Sequence, residues 1–373
     1  MKKLRRKKRR FNGSKTKYDF YHILAFSVNI LSFLVFISAN RASMNEGGEF
    51  VSTRINRKKT KKRRRLFLSF LTFFALLFVA TATYATYQFE AGRKESESML
   101  SATEKEEKIE SEIEVKEPEN DEPINVLLIG VDTEASGPAR TDTIMIAQYD
   151  PKHGEAKVAS IMRDTYVEIP GRANNKINAA FAFGGVELLR ETIEHNFQLD
   201  IHYYAIVNFE SFIRVVDTIA PDGLEVDIKE RMYYVDNAAG MTIDFHPGAQ
   251  KLNGEEVLKY VRFRHDSQND FGRVERQQEI LSLLKKELLT FAGLSRIPRL
   301  IGAVEPHIDT NIRTAKLISF GKDFVLNPAT ELKTLRIPLD GTYRNKHYAH
   351  AGAVLEIDFE ENINALKQFF NSN

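Results

Sequence analysis

The chain has 373 residues, 43% of them hydrophobic, which allows one large domain or two small ones. It has no cysteine, which excludes disulfides and cysteine-ligated zinc or iron–sulfur centres. The net charge of +2 hides a division: residues 1–65 carry 20 Lys/Arg against 3 Asp/Glu, and the remainder 33 against 48.

A first apolar run, residues 20–39, is nearly long enough to cross a bilayer but contains His22 and Asn29. If it crossed together with the next run, the ten basic residues before Tyr18 would face outside, against the positive-inside tendency. The string "EGGEF" before Val51 can be encoded by a near-ideal bacterial ribosome-binding site followed by a GTG start. Residues 1–50 are therefore expected to be untranslated upstream sequence, and a peptide from 1–40 in the native protein would refute this. Residues 51–65 then form a basic cytoplasmic tail.

Residues 66–87, "LFLSFLTFFALLFVATATYATY", hold no charge over 22 positions and match the roughly 20 residues a transmembrane helix needs. "RKKTKKRRR" precedes the run and Glu90, Glu95 and Glu97 follow it, so the C-terminal bulk is expected outside a single-pass cell membrane. Tyr84 and Tyr87 fall at the outer interface. Residues 88–122, dominated by Glu, Ser and Lys, are expected to be a solvated acidic spacer, partly helical at most.

From residue 123 the pattern changes. Strands are predicted over 124–132, 142–150 and 156–164, a helix over 179–198, and a strand and helix over 202–209 and 210–219. A further strand over 257–265 ("VLKYVRFRH") leads to a helix over 272–289, whose Ile280, Leu283, Leu284 and Leu288 recur at helical spacing. A strand over 332–338 and a helix over 359–370 close the chain. Strands alternating with helices give an α/β class, a sandwich around a mixed central sheet.

The stretch "VRFRHDSQNDFGRVERQQ", 261–278, concentrates arginine. On the predicted strand Arg262 and Arg264 share a face, and on the following helix Arg273 and Gln277 do. Guanidinium groups that converge need an anion between them, and the arginine fork suits phosphate oxygens. An alternative stays open: surface arginines paired with Asp266, Asp270 and Glu275. Asp132 ends the first strand and Asp142 begins the second; antiparallel neighbours would bring both to one sheet end, with Arg140 close by. Mg2+, held by one or two carboxylates and phosphate oxygens, suits such a pair. Arg163 ends the third strand, and Lys176 follows in "NNKINAAFAFGG". Together these residues suggest a diphosphate site beside an apolar wall. Phe181, Phe183, Leu188 and Leu189 are candidates for that wall, ordinary core being the alternative.

"LLIGVD", "RTDTIMI", "SIMRDTYVEIPG", "KINAAFAFGG", "KLNGEEVLKYVRFRHD" and "DFGRVERQQ" occur here in this order after a basic tail and one apolar span. In this the chain resembles the LytR-CpsA-Psr family of cell-wall attachment enzymes, over about residues 124–370. The resemblance implies an α/β/α fold with an apolar tunnel for a polyprenyl tail. It implies transfer of an anionic glycopolymer, such as wall teichoic acid, from undecaprenyl pyrophosphate to peptidoglycan in a Gram-positive bacterium. The expected bond is a phosphodiester at the C6 hydroxyl of N-acetylmuramic acid. By motif, Asp132 and Asp142 would serve Mg2+ (or Mn2+), and Arg163, Arg262, Arg264, Arg273 and Gln277 would hold the pyrophosphate, with Arg140 and Lys176 near it. Three other readings stand beside this one: a membrane-bound regulator or attenuator of envelope genes, a lipid-pyrophosphate hydrolase, and a non-catalytic lipid-binding protein. Nucleic acid is not expected as a partner. The run 57–65 abuts the membrane span, lacks interleaved aromatics and has no helix-turn-helix beside it.

Overall fold

A computed structural model describes residues 54–97, 122–131, 141–150, 152–236, 240–266, 268–329 and 331–371. The expected upstream segment, Asp132, Arg140 and most of the expected spacer lie outside these residues. The chain divides into two compact units, Met1–Leu77 and Phe78–Asn373.

Helix α1 (Arg54–Glu97) contains the apolar run. Its stretch Arg65–Glu95 is long and apolar enough to cross a membrane, and none of its apolar window is buried by protein. Four hydroxyls within it bond back to their own helix: Ser69 to the Leu66 carbonyl (3.0 Å), Thr72 to Ser69 (2.9 Å), Thr81 to Phe78 (2.9 Å) and Thr86 to Ala82 (2.8 Å). This satisfies those four hydroxyls without water, as a bilayer requires. The helix fits a single-pass membrane protein. It does not stop at the end of the apolar run: it continues to Glu97, and Gly92 is buried.

In the second unit, β1 (Ile124–Val131), β2 (Thr141–Asp150) and β3 (Glu155–Ile161) form an antiparallel meander. Short β4 (Tyr166–Val167) and β5 (Asn175–Lys176) lead to α2 (Ile177–Phe197), β6 (Tyr203–Val207) and α3 (Phe209–Ile219). Strands β7 (Leu224–Ile228), β8 (Met232–Asp236), β9 (Met241–Phe245) and β10 (Gly248–Leu252) precede α4 (Gly254–Arg262), α5 (Asp270–Leu288) and α6 (Phe291–Val304). After β11 (Asp309–Thr310) and α7 (Thr314–Leu326) come β12 (Leu332–Ile337), the hairpin β13 (Tyr343–Tyr348) and β14 (Gly352–Ile357), and α8 (Phe359–Asn371).

The central sheet has the order β11-β6-β1-β2-β3-β12. It is mixed: β1 pairs parallel with β6 and β3 with β12, while the meander pairs and β6–β11 are antiparallel. The C-terminal ends of β1, β3, β6 and β12 thus share one sheet end with the start of β2.

Pleating sorts the core. Leu127, Ile129 and Val131 of β1 pack with Leu189, Ile193 and Phe197 of α2 and with Leu366 and Phe370 of α8. On the other side a second core joins Val216 and Ile219 of α3 to Val257 and Val261 of α4, Ile280 and Leu284 of α5, and Val226 and Ile228 of β7. This second cluster contains no residue of the central sheet. The space between them is a cavity, described below.

The predicted strand over 257–265 is instead helix α4. Asn253 caps it, accepting from the Glu256 backbone, while Glu256 reaches back to the Asn253 N–H. Val257, Tyr260 and Val261 then bury one face. The helix stops at Arg262, and Phe263 is extended.

Candidate active site

The site is built at the sheet end that β1, β2, β3 and β6 share. Asp142 is the second residue of β2. Arg163 stands two residues beyond β3, Arg262 and Arg264 flank the end of α4, and Asp270 and Arg273 lie in the first turn of α5. Asn269, at φ +49°, turns the chain into that helix; asparagine is among the few residues that adopt this region readily.

Two carboxylates bind three guanidiniums. Arg163 donates through Nη1 to Asp142 Oδ1 and through Nε to Asp270 Oδ2, the latter at 3.0 Å. Arg264 approaches Asp142 Oδ2 at 3.2 Å and Asp270 Oδ1 at 3.5 Å. Arg273 Nη1 lies 3.8 Å from Asp142 and 3.7 Å from Asp270, and its Nη2 donates to the Asp142 carbonyl at 3.1 Å. Asp270 therefore belongs to the site. Its sequence signal was the spacing Asp270–Arg273, one helical turn.

Electrostatics follow from these contacts. Burial opposes ionisation of Asp142, but Arg163, Arg264 and Arg273 together hold its carboxyl below the usual aspartate range. Arg163 is desolvated too, yet the facing carboxylates raise its pKa. Arg273 differs. Only 3% of it is exposed, and burial, with Arg264 beside it, lowers its pKa to about 10. Its Nε and Nη1 are buried without a hydrogen-bond acceptor. A buried cation left so calls for an anionic ligand.

Other contacts place these groups. Arg276 donates to Asp266 and to the Phe263 carbonyl, both at 2.5 Å, and so pins the loop that carries Arg264. Gly272 makes room for this: a Cβ there would lie 2.8 Å from Asp266 Oδ2 and 3.2 Å from Arg276 Nη1. Gln277 donates to Thr143 Oγ1 (3.0 Å), and Gln278 to Ser160 Oγ (3.0 Å) and the Leu335 carbonyl (2.9 Å), fastening α5 to β2, β3 and β12. Among the described residues Arg262 has no carboxylate partner; its guanidinium lies over the Phe209 ring, 4.2 Å from the centroid.

A cavity of about 460 Å³ opens from this cluster and runs between the sheet and the second core. Asp142, Arg262, Arg264, Arg273 and Gln277 line one part of it, and Leu128, Met145, Phe212, Leu258, Ile280 and Leu281 line another. Tyr234 and Ile243 of the β8–β9 hairpin also line it, and the Tyr234 ring stacks on His265 at 3.8 Å.

The predicted convergence of Arg163, Arg264, Arg273, Gln277 and Asp142 is what the chain folds into, and Arg262 joins them from the end of a helix rather than a strand. The alternative pairing is present as well, because Asp270 is one of the anions between the arginines and Asp266 binds Arg276. Lys176 stands one carboxylate away: its Nζ donates to Asp164 at 2.6 Å, and Asp164 lies 3.6 Å from Arg163. The four candidates for the apolar wall lie elsewhere. Leu189 is in the α2 core, Phe181 and Leu188 pack against that core, and Phe183 is 42% exposed beside Arg172. They occupy the opposite face of the sheet from the cavity; β1 carries apolar side chains on both faces. Residues such as Leu128 and Met145 were predicted only as strand.

Among the described residues no group of three His, Asp or Glu side chains is placed to hold a metal ion. A magnesium ion shared with phosphate needs only one or two carboxylates. Asp142 offers one at the cavity, engaged by guanidiniums, and Asp132 lies outside the described residues.

Comparison with known proteins places this arrangement. The LytR_cpsA_psr family model matches residues 85–367. A Staphylococcus aureus (strain COL) protein named Regulatory protein MsrR is 36% identical over 252 residues, 68% of this chain and 76% of that protein. The Bacillus subtilis (strain 168) protein named Polyisoprenyl-teichoic acid–peptidoglycan teichoic acid transferase TagU is 29% identical over 269 residues, 72% of this chain and 84% of its own. The crystal structure of B. subtilis TagV superposes with a TM-score of 0.56 at 27% identity, covering 68% of this chain and 99% of that one. A structure of TagT bound to LIIa-WTA shares the fold, with a TM-score of 0.53 at 24% identity over 69% of this chain and 92% of that one. The chain belongs to the LytR_cpsA_psr family.

Proposed function

We propose that the protein is a transferase that moves an anionic wall glycopolymer, of the teichoic acid class, from a polyprenyl diphosphate carrier to peptidoglycan outside the membrane. The observation that carries this reading is Arg273: a buried guanidinium whose Nε and Nη1 lack a hydrogen-bond acceptor, at the junction of an arginine cluster and an apolar cavity. One ligand class suits both halves, a diphosphate with a long hydrocarbon tail. The name of the TagU relative supplies the polymer and the acceptor.

In this reading the diphosphate lies among Arg163, Arg262, Arg264 and Arg273, and its prenyl chain lies along Leu128, Met145, Leu258 and Leu281. The acceptor sugar hydroxyl attacks the phosphorus that bears the glycopolymer. The bridging P–O bond breaks, its electron pair leaves with prenyl monophosphate, and the hydroxyl proton goes to a base. Chemistry of this kind depends on positioning and charge neutralisation. Asp142, held as a carboxylate by three arginines, is a poor proton acceptor and a good organiser of cations. Mg2+ or Mn2+, held by Asp142 and Asp132, would supply further neutralisation of the diphosphate.

The test uses the full-length protein, a polyprenyl-diphosphate-linked glycopolymer and peptidoglycan oligomers. Phosphodiester-linked product and prenyl monophosphate should appear together, and Arg163→Ala and Arg264→Ala should abolish both. Release of monophosphate without linkage to glycan would make the protein a hydrolase. Transfer at the native rate by both variants would remove the site assignment. The regulatory name of the staphylococcal relatives is the ground for a second reading, a membrane-bound regulator of envelope genes.

A further inference from the structure

The residues that follow the apolar run are strongly charged, yet the last turns of α1 dock against α6. Gly92 and Gly302 make the contact reciprocal. A Cβ at Gly92 would fall on the Arg299 carbonyl oxygen and within 3.1 Å of the Ala303 nitrogen. A Cβ at Gly302 would fall on the Phe89 carbonyl oxygen and within 3.2 Å of the Arg93 nitrogen. The two backbones touch with no side chain between them, an approach that only small residues allow. Ion pairs flank the crossing: Arg299 with Glu95 at 2.6 Å and Arg93 with Glu305 at 4.0 Å. Exposed pairs of this sort add orientation more than energy.

The crossing lies at the active-site end of the domain. Five residues beyond Gly302, the His307 carbonyl accepts from Ser211 Oγ at 2.8 Å, in the first turn of α3. Asn208 and Phe209, just before Ser211, line the cavity, and Phe209 carries Arg262. On the other partner, Tyr84 and Tyr87 are exposed, five to eight residues before Gly92. At 1.5 Å per residue that is about 8–12 Å of helix between the aromatic belt expected at a membrane interface and the crossing.

We propose that Gly92 and Gly302 are positioning residues that form a fixed mount: they hold the arginine-lined end of the domain at a set height above the bilayer in which the donor's prenyl chain is rooted. This rests on the proposed function, because the benefit is for a substrate confined to the membrane surface. A flexible tether would spread the site over tens of ångströms and lower its effective concentration at the headgroup.

The experiment uses the full-length chain in lipid vesicles and the Gly302→Ala variant. Alanine favours an isolated helix over glycine, so any loss arises at the crossing. Two donors are compared, a bilayer-rooted long-chain prenyl diphosphate glycopolymer and a water-soluble short-chain one. The variant should raise KM for the rooted donor by about tenfold, leave its kcat unchanged, and keep turnover of the soluble donor within about twofold. Equal loss on both donors, or no change on either, overturns the mount. A second measurement needs no turnover. The chain has no cysteine, so spin labels at Tyr87→Cys and Lys322→Cys are unique. Their distance distribution should be narrow with both glycines and broad in Gly302→Ala. A broad distribution in the chain with both glycines overturns the mount. A narrow one in a chain that turns over neither donor supports the mount and removes the transferase reading.

Discussion

Arg163 Nε lies 3.0 Å from Asp270 Oδ2, joining the end of a central strand to the first turn of a helix more than a hundred residues later. Asp270 also faces Arg264 and Arg273, so one carboxylate holds three guanidiniums against mutual repulsion. Replacing it by alanine leaves Asp142 to face all three, with Asp164 beside Arg163 only. The Asp270→Ala variant should lose about 1–3 kcal/mol of stability, the order of a broken charged network at a partly buried position. It should regain much of this on adding a short-chain prenyl diphosphate, whose phosphates replace the missing anion. Thermal midpoints with and without the diphosphate check this; no destabilisation would mean that Asp270 does not organise the site.

Asp142 gives a pH dependence of known sign. Its folded pKa lies below the unfolded value, so its ionised form stabilises the fold above the ordinary aspartate value of about 3.9, and this contribution disappears as the pH falls through the lower, folded value. Below about pH 4 the native protein should lose stability more steeply than Asp142→Asn. Parallel unfolding curves for the two proteins in detergent between pH 5 and pH 2 would contradict the assignment.

Arg273 separates stability from binding. Its guanidinium is desolvated and short of acceptors, while Asp142 and Asp270 keep Arg163 and Arg264 as partners if it is removed. The Arg273→Met variant should be as stable as the native chain, or more stable by about 1 kcal/mol. Its affinity for a prenyl diphosphate should fall about 100-fold, roughly 2.7 kcal/mol. Calorimetric unfolding and a binding titration on the same sample measure both effects.

The cavity predicts a chain-length effect. The Leu281→Trp variant fills part of the apolar lining and should weaken a long prenyl diphosphate by about tenfold, near 1.4 kcal/mol, with little change for a short one. Phe183→Ala, on the far side of the sheet, should change neither. If Phe183→Ala carries the chain-length effect instead, the hydrocarbon lies against α2.

How far the sequence could be read depended on what each signal encodes. The antiparallel meander, the placement of Asp142 beside Arg163, and the shared face of Arg273 and Gln277 follow from local periodicity and short turns, and all are present in the structure. The segment carrying Arg262 and Arg264 looks like a strand by sequence, since from Lys259 to Arg264 charged residues are interleaved with Val and aromatic ones. The decisive signal was the capping pair Asn253 and Glu256 just upstream. The arginines still meet, because the helix ends between them. The apolar wall is not legible in the sequence, since β1 carries apolar residues on both faces and periodicity does not say which face is hollow. The charged stretch after the membrane run looked solvated, because its contact with α6 is made by backbone at a glycine and leaves almost no hydrophobic signature.

The clasp that Arg276 forms around Asp266 and the Phe263 carbonyl has a consequence for how the site can diversify. It props up the Arg264 loop from below, using a side chain that is not among those lining the cavity. The substrate-facing positions on that loop can therefore be exchanged while its path stays the same. Altered headgroup preference is thus open to change at His265, provided that Arg264, Arg276 and Gly272 are left in place.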